Sequence, residues 1–170
     1  MSSSDSERML KLKSSDGVTF DIKDAIVVTK LEFIKNIIED CCGDNDLILV
    51  PNVNSQILAM VLEWCKKHVG DDIISDGEED EENEYFSRKK EIKKWDAEFV
   101  KNLDQGVLYH LLMAADYLNA KQLLDLLTQR VADMIKGKKS EQIRQIFNIK
   151  NDFTPEEEEA IKKRNPWAFE

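Results

Sequence analysis

Only two histidines could act as a general base in this chain, His68 and His110, and they lie far apart in sequence. A hydroxyl or thiol nucleophile needs a base placed against it and a third group to orient that base. Each histidine sits inside a helix-spaced segment with no surrounding motif, so each reads as a structural residue. The three cysteines, Cys41, Cys42 and Cys65, offer no more. Adjacent Cys41 and Cys42 lack the two-residue spacer that lets two thiolates reach one zinc, and no second Cys/His pair follows. No glycine-rich loop follows a strand, so no phosphate cradle is expected. Nine carboxylates fall within residues 71–84. They lack the spaced oxygen ligands of a calcium loop, and read as a solvated charge run. The expectation is no catalysis, no metal and no cofactor.

The charge balance points to the class of partner. The net charge is −10 and the sequence pI about 4.8. Such a chain repels phosphate backbones and anionic lipid, which disfavours nucleic acid and membrane surfaces. Partners should be proteins, met through apolar or basic surface. An odd number of cysteines, two of them adjacent, is no disulfide framework. The first eight residues are polar and serine-rich, without an apolar signal region. No stretch approaches the length of a membrane span. Together these features predict a protein of the cytosol and nucleus.

The elements that would position any binding surface follow from periodicity. Residues 1–8 read as a disordered arm. Leu10 and Leu12, then Val18, Phe20 and Ile22, alternate with polar residues, and Asp16-Gly17 between the runs predicts a hairpin turn. Thr29, with Glu32 three residues on, has the spacing of a capping box for a helix carrying Leu31, Ile34, Ile37 and Ile38. Cys41-Cys42-Gly43 breaks it, and Leu47-Ile48-Leu49-Val50, ended by Pro51, reads as a buried strand of a mixed sheet. Asn54 should cap a helix through Ile57, Leu58, Val61, Leu62 and Cys65. An acidic flexible loop is expected over residues 70–92, because like charges cannot repay the entropy of ordering. Asp104 should cap a helix in which Val107, Leu108, Leu111, Leu112, Ala115 and Leu118 share a face. A further helix runs from Ala120 to Lys136 and stops at Gly137. Ser140 opens a short one. Thr154-Pro155-Glu156-Glu157 marks the start of the last, whose acidic beginning and basic end suit its dipole.

The C-terminal part holds an apolar surplus. At 100° per residue, Leu123, Leu124, Leu127, Val131, Met134 and Ile135 span about a third of one helix, and Leu126 widens the stripe to about half. Ile143, Ile146, Phe147, Ile149, Phe153, Trp167 and Phe169 follow on short, otherwise charged segments. A small domain rarely supplies neighbours for so many large side chains, so a partner should cover part of this surface. Free of that partner, the protein should be prone to weak self-association.

These segments resemble a known family. Leu12-Lys13-Ser14-Ser15-Asp16-Gly17, Val50-Pro51-Asn52-Val53, Trp95-Asp96-Ala97-Glu98-Phe99 and Ala114-Ala115-Asp116-Tyr117-Leu118 are similar to the Skp adaptors of Skp–cullin–F-box ubiquitin ligases. So are Val131-Ala132-Asp133-Met134-Ile135-Lys136-Gly137-Lys138, the run from Phe147 to Thr154, Glu156-Glu157-Glu158-Glu159 and Asn165-Pro166-Trp167. The resemblance implies an α+β fold: a BTB/POZ-type domain over 9–136, with a small mixed sheet and a helical bundle, then F-box-binding helices over 137–170. It implies a non-catalytic adaptor bridging a cullin N-terminal region and F-box proteins, so that substrates are ubiquitinated and degraded. The cullin contact of the family maps onto Asp116 and Tyr117. The F-box surface maps onto Leu123, Leu124, Leu127, Val131, Ile135, Ile143, Ile146, Phe147 and Trp167. Asp116 stands where the family usually has asparagine, adding a negative charge and losing an amide donor. Ser140 replaces the usual Thr-Pro, and Pro166 stands for glutamine and should end the last helix early. The alternative reading is an F-box-binding protein of the same fold working outside a cullin ligase.

Overall fold

The computed structural model describes residues 8–40, 47–70 and 79–168, with side chains in the long helix α4 described from Phe86 onward. The expectations for the arm 1–7, for Cys41-Cys42-Gly43, for Phe169 and for the acidic run 71–78 fall outside the described residues. Two compact units emerge, Met1–Thr128 and Gln129–Glu170.

The alternating runs form strands β1 (Met9–Ser14) and β2 (Thr19–Lys23), paired antiparallel with Leu12 opposite Phe20. Gly17 turns the hairpin at φ 87°, a left-handed value that side chains resist. Asp16 then ties this turn to the following helix. Its carboxylate accepts from the Ser14 hydroxyl at 2.6 Å, the Ser55 hydroxyl at 2.5 Å and the Ser55 backbone N–H at 2.9 Å. These bonds, Ser14 foremost, hold the Asp16 carboxyl below its ordinary range. Strand β3 (Leu47–Val50) joins β1 in parallel, giving the order β2-β1-β3 and the expected mixed sheet. It is not a buried strand, however. Ile48 and Val50 point inward, while Leu47 and Leu49 are 42 % and 59 % exposed. An edge strand on a sheet covered on one face alternates even when its sequence is uniformly apolar.

Two local expectations fail around Thr29. Residues Asp24–Val28 form a short helix α1 that periodicity did not announce, and Thr29 closes it rather than opening the next. Helix α2 starts at Glu32 and runs to Asp40. Five residues are too few to establish a helical period, so tertiary packing of the buried Val27 decided this turn.

Helix α3 (Ser55–Lys67) is capped by Asn54, whose side chain accepts the Ile57 N–H at 2.9 Å. Its inner face supplies Leu58, Val61 and Trp64 to the core. Burial pushes the Cys65 thiol up to about 12, so it is a small apolar core residue rather than a nucleophile. Residues 79–92, expected to belong to the acidic loop, are helical instead, since α4 covers Glu79–Lys101. The sequence there passes from acidic to basic, the order that a helix dipole favours. Farther along, Ile92 and Val100 are buried and anchor the helix. His68 is buried as well. It lies 2.9 Å from the Trp64 carbonyl and 3.2 Å from the Asp96 carboxylate, and stacks on the Trp64 ring at 4.0 Å. It thus fastens the end of α3 to α4, the structural role expected of it.

Helices α5 (Gln105–Tyr117) and α6 (Lys121–Ile135) follow. Asp104 caps α5 by accepting the Gly106 N–H at 3.0 Å. The turn between them is fixed by Asn119, whose positive φ of 52° lets its side chain donate to Glu32 of α2. In the second unit, α7 (Ser140–Phe147) and α8 (Pro155–Arg164) precede a 3-10 turn, Pro166–Ala168. The capping box of α8 forms as read: Glu157 N–H to Thr154 Oγ1 at 3.3 Å, and Thr154 N–H to Glu157 Oε2 at 2.9 Å. The helix ends two residues before Pro166, as a residue without an amide hydrogen requires.

Candidate protein-binding surfaces

The first unit presents one surface along α5. The buried side of the helix carries Leu108, Leu111, Ala114 and Ala115. Turned away from it at helical spacing are Tyr109, Met113, Asp116 and Tyr117. Asp116 is exposed, and Tyr117 is half-buried because its ring packs against Phe33 of α2 at 4.9 Å. That contact holds the ring in place. A pre-positioned aromatic with a hydroxyl at its tip is a suitable interface anchor. Sequence reasoning named Asp116 and Tyr117 but missed Met113, which at 71 % exposed is the most open large apolar side chain of this helix. Its helical phase was the available signal, since it falls outside the stripe of Leu108, Leu111 and Ala115.

Of the residues assigned to the other surface, three lie in this first unit. Leu123 and Leu127 are fully buried. They belong to the core and are withdrawn from the binding surface. Leu124, one position round the helix, is half-buried. The wide stripe of α6 therefore has two parts. Its centre, at Leu123 and Leu127, serves the fold, and its flank stays partly open. Helical periodicity gives the width of a stripe but not which portion meets the core.

The second unit is different in kind. Every buried apolar side chain named so far lies at or before Leu127, and no described residue from 129 to 168 is buried. Val131, Ile143, Ile146 and Phe147 are half-buried, and Ile135 is 38 % exposed. Ile149, Phe153 and Trp167 are 55 %, 47 % and 77 % exposed. Polar interactions organise the frame instead. Arg144 pairs with Glu141 at 2.7 Å and with Glu158 at 3.5 Å, and sits over the Phe153 ring. The Asn151 side-chain amide donates to Glu158 at 2.7 Å. These contacts hold α7 to α8 around a groove of about 860 Å³, lined among others by Lys138, Arg144, Phe153, Glu158 and Ile161. A frame set by ion pairs with oily residues left open can receive another polypeptide.

Among the described residues no group of histidine, cysteine and carboxylate side chains could hold a metal ion. No described helix is long and apolar enough to cross a membrane. A small mixed-sheet domain followed by short helices, with exposed apolar side chains on α5 and in the second unit, is the architecture of an α+β interaction module.

Comparison with known proteins makes the assignment specific. The family model described as "Skp1 family, tetramerisation domain" matches residues 8–70, and "Skp1 family, dimerisation domain" matches residues 121–168. SKP1-like protein 1A of Arabidopsis thaliana is 50 % identical, with 97 % of this chain and 99 % of that protein covered. SKP1-like protein 4 of the same plant is also 50 % identical, over 98 % and 99 %. SKP1-like protein 1 of Oryza sativa subsp. japonica is 47 % identical over the whole of both chains. The chain belongs to the Skp1 family. Members of this family are non-catalytic adaptors, and the POZ fold expected from the sequence stands.

Proposed function

We propose that this adaptor bridges two proteins in a Skp–cullin–F-box ubiquitin ligase, holding a cullin N-terminal region on the α5 face and F-box proteins on its C-terminal helices. The observation that carries this reading is the second unit's lack of any buried residue among those described, while it displays Trp167, Phe153 and Ile149. Such side chains find their missing neighbours on a second chain. The F-box surface comprises Leu124, Val131, Ile135, Ile143, Ile146, Phe147 and Trp167. The cullin surface centres on Asp116 and Tyr117. The mechanism is spatial. Two interfaces on one chain raise the effective concentration of an F-box-bound substrate near the charged ubiquitin carrier, and the adaptor supplies no acid, base or nucleophile. The proposed place of action is the cytosol and nucleus.

Removing residues 138–170 tests the division of labour. The truncated protein should lose F-box capture in a pull-down while still retaining a cullin N-terminal fragment. Equal loss of both would overturn it. A second reading, F-box binding outside a cullin ligase, is favoured by one feature: Asp116 puts an exposed negative charge at the centre of the cullin-facing surface. Wild-type protein that captures F-box chains but no cullin would establish that reading.

A further inference from the structure

The outward face of α5 combines features that a merely solvated helix would not need. Tyr109, Met113 and Tyr117 recur every four residues and so form a ridge. Tyr109 is 37 % exposed and Met113 71 %. The ridge is stiff at both ends. The Gln105 side-chain amide donates to the Tyr109 hydroxyl at 2.7 Å, and Tyr117 rests on Phe33 at 4.9 Å. One carboxylate, Asp116, lies beside it, three residues from Met113. Among the described residues Asp116 forms no ion pair, and α5 contains no lysine or arginine. Lys121, the next cation along the chain, is paired with Glu32 at 3.0 Å. His110 shares the exposed side, and its Nδ1 is 2.8 Å from the Gly106 carbonyl.

Charge says what should sit here. Residues 1–128 carry 26 acidic against 15 basic side chains, a net of −11. A partner approaching this unit meets a negative field, and at the ridge it meets a carboxylate without a counter-ion. A second copy of this chain brings the same deficit to the same face. The complementary occupant is a different protein, with an apolar hollow for Met113 and a lysine or arginine opposite Asp116.

We infer that Met113 and Asp116 together determine which cullin this adaptor accepts: one whose contacting segment carries a basic side chain beside an apolar hollow. This rests on the reading of the α5 face as the cullin surface. Met113 supplies contact area and Asp116 supplies selection, because a partner with an acidic residue at that point would place like charges together.

The test uses the full chain and the N-terminal fragment of a cullin that it captures, with binding rates measured at about 50 mM and about 500 mM salt, and F-box capture as the check on folding. D116N should slow association about 3- to 10-fold at the lower salt, and converge on wild type at the higher, where the screening length shrinks to a few ångströms. D116R should lose about 100-fold or more, and M113A about 10-fold at both salts. A charge reversal of the cullin's basic residue should restore binding to D116R. If D116N binds as fast as wild type or faster at low salt, the selection role of Asp116 is overturned although the cullin surface stands. If wild type captures F-box chains but no cullin, the surface assignment fails, and this inference with it. A homodimer disrupted by M113K would also overturn it, by showing the face to be self-complementary.

Discussion

Replacing Trp167 by alanine separates binding from stability more cleanly than any other single change. The indole is 77 % exposed in the free chain. Full burial of an aromatic side chain removes about 150–250 Å² from water. Covering the exposed part of Trp167 would therefore remove on the order of 150 Å², about 4 kcal/mol at ~25 cal/mol per Å². Immobilising the side chain and incomplete coverage offset about 0.5–1.5 kcal/mol of that. Truncation should then weaken F-box binding by about 2.5–3.5 kcal/mol, or roughly 70- to 400-fold. The stability of the free protein should move by no more than about 0.5 kcal/mol, because exposed substitutions rarely do more. Calorimetric titration with an F-box domain gives the first quantity, and urea unfolding the second. Fluorescence provides an internal check. Trp64 is 1 % exposed and Trp95 is half-buried. A blue shift on F-box binding should therefore come from Trp167 and vanish in the variant. Binding within threefold of wild type would refute the claim that this surface waits for a partner.

Three further outcomes follow from the structure. Leu127→Ala should do the opposite of Trp167→Ala: its side chain is fully buried, so the loss should appear as about 2–5 kcal/mol of unfolding free energy by urea titration. Thr154→Ala removes the cap whose hydroxyl accepts the Glu157 N–H at 3.3 Å. It should cost about 1 kcal/mol and show as faster amide exchange confined to the first turn of α8. The Asp16 link between hairpin turn and α3 should respond to acid. Its folded carboxyl titrates below the ordinary 3.8, so its contribution is complete above that value and is lost as pH falls through the lower, folded value. Asp16→Asn should flatten the acid limb of a stability-versus-pH curve, and an unchanged limb would show that the link carries nothing.

The sequence determined whatever local chemistry fixes. Asn54, Asp104 and Thr154 cap their helices as read, because a short side chain one residue before a helix has few other amides to serve. The alternation around Asp16-Gly17 made the hairpin, and the adaptor reading came from the resemblance of segments such as Val131-Ala132-Asp133-Met134-Ile135 to Skp adaptors. Thr29 shows the limit of such rules. It closes the unforeseen helix α1, since five residues carry no period and packing of Val27 chose the turn.

Only the tertiary structure could divide the oily residues between core and surface. In sequence, Leu123, Leu127, Val131 and Ile135 are one continuous stripe on one helix. In the folded chain Leu123 and Leu127 are sealed, Val131 is half-buried and Ile135 is 38 % exposed. Leu47 and Leu49 likewise reach the surface, 42 % and 59 % exposed among the described residues, while Ile48 and Val50 of the same strand are buried. Hydrophobicity is a property of each side chain, but burial belongs to whatever packs against it, and a sequence read one residue at a time does not contain the neighbours.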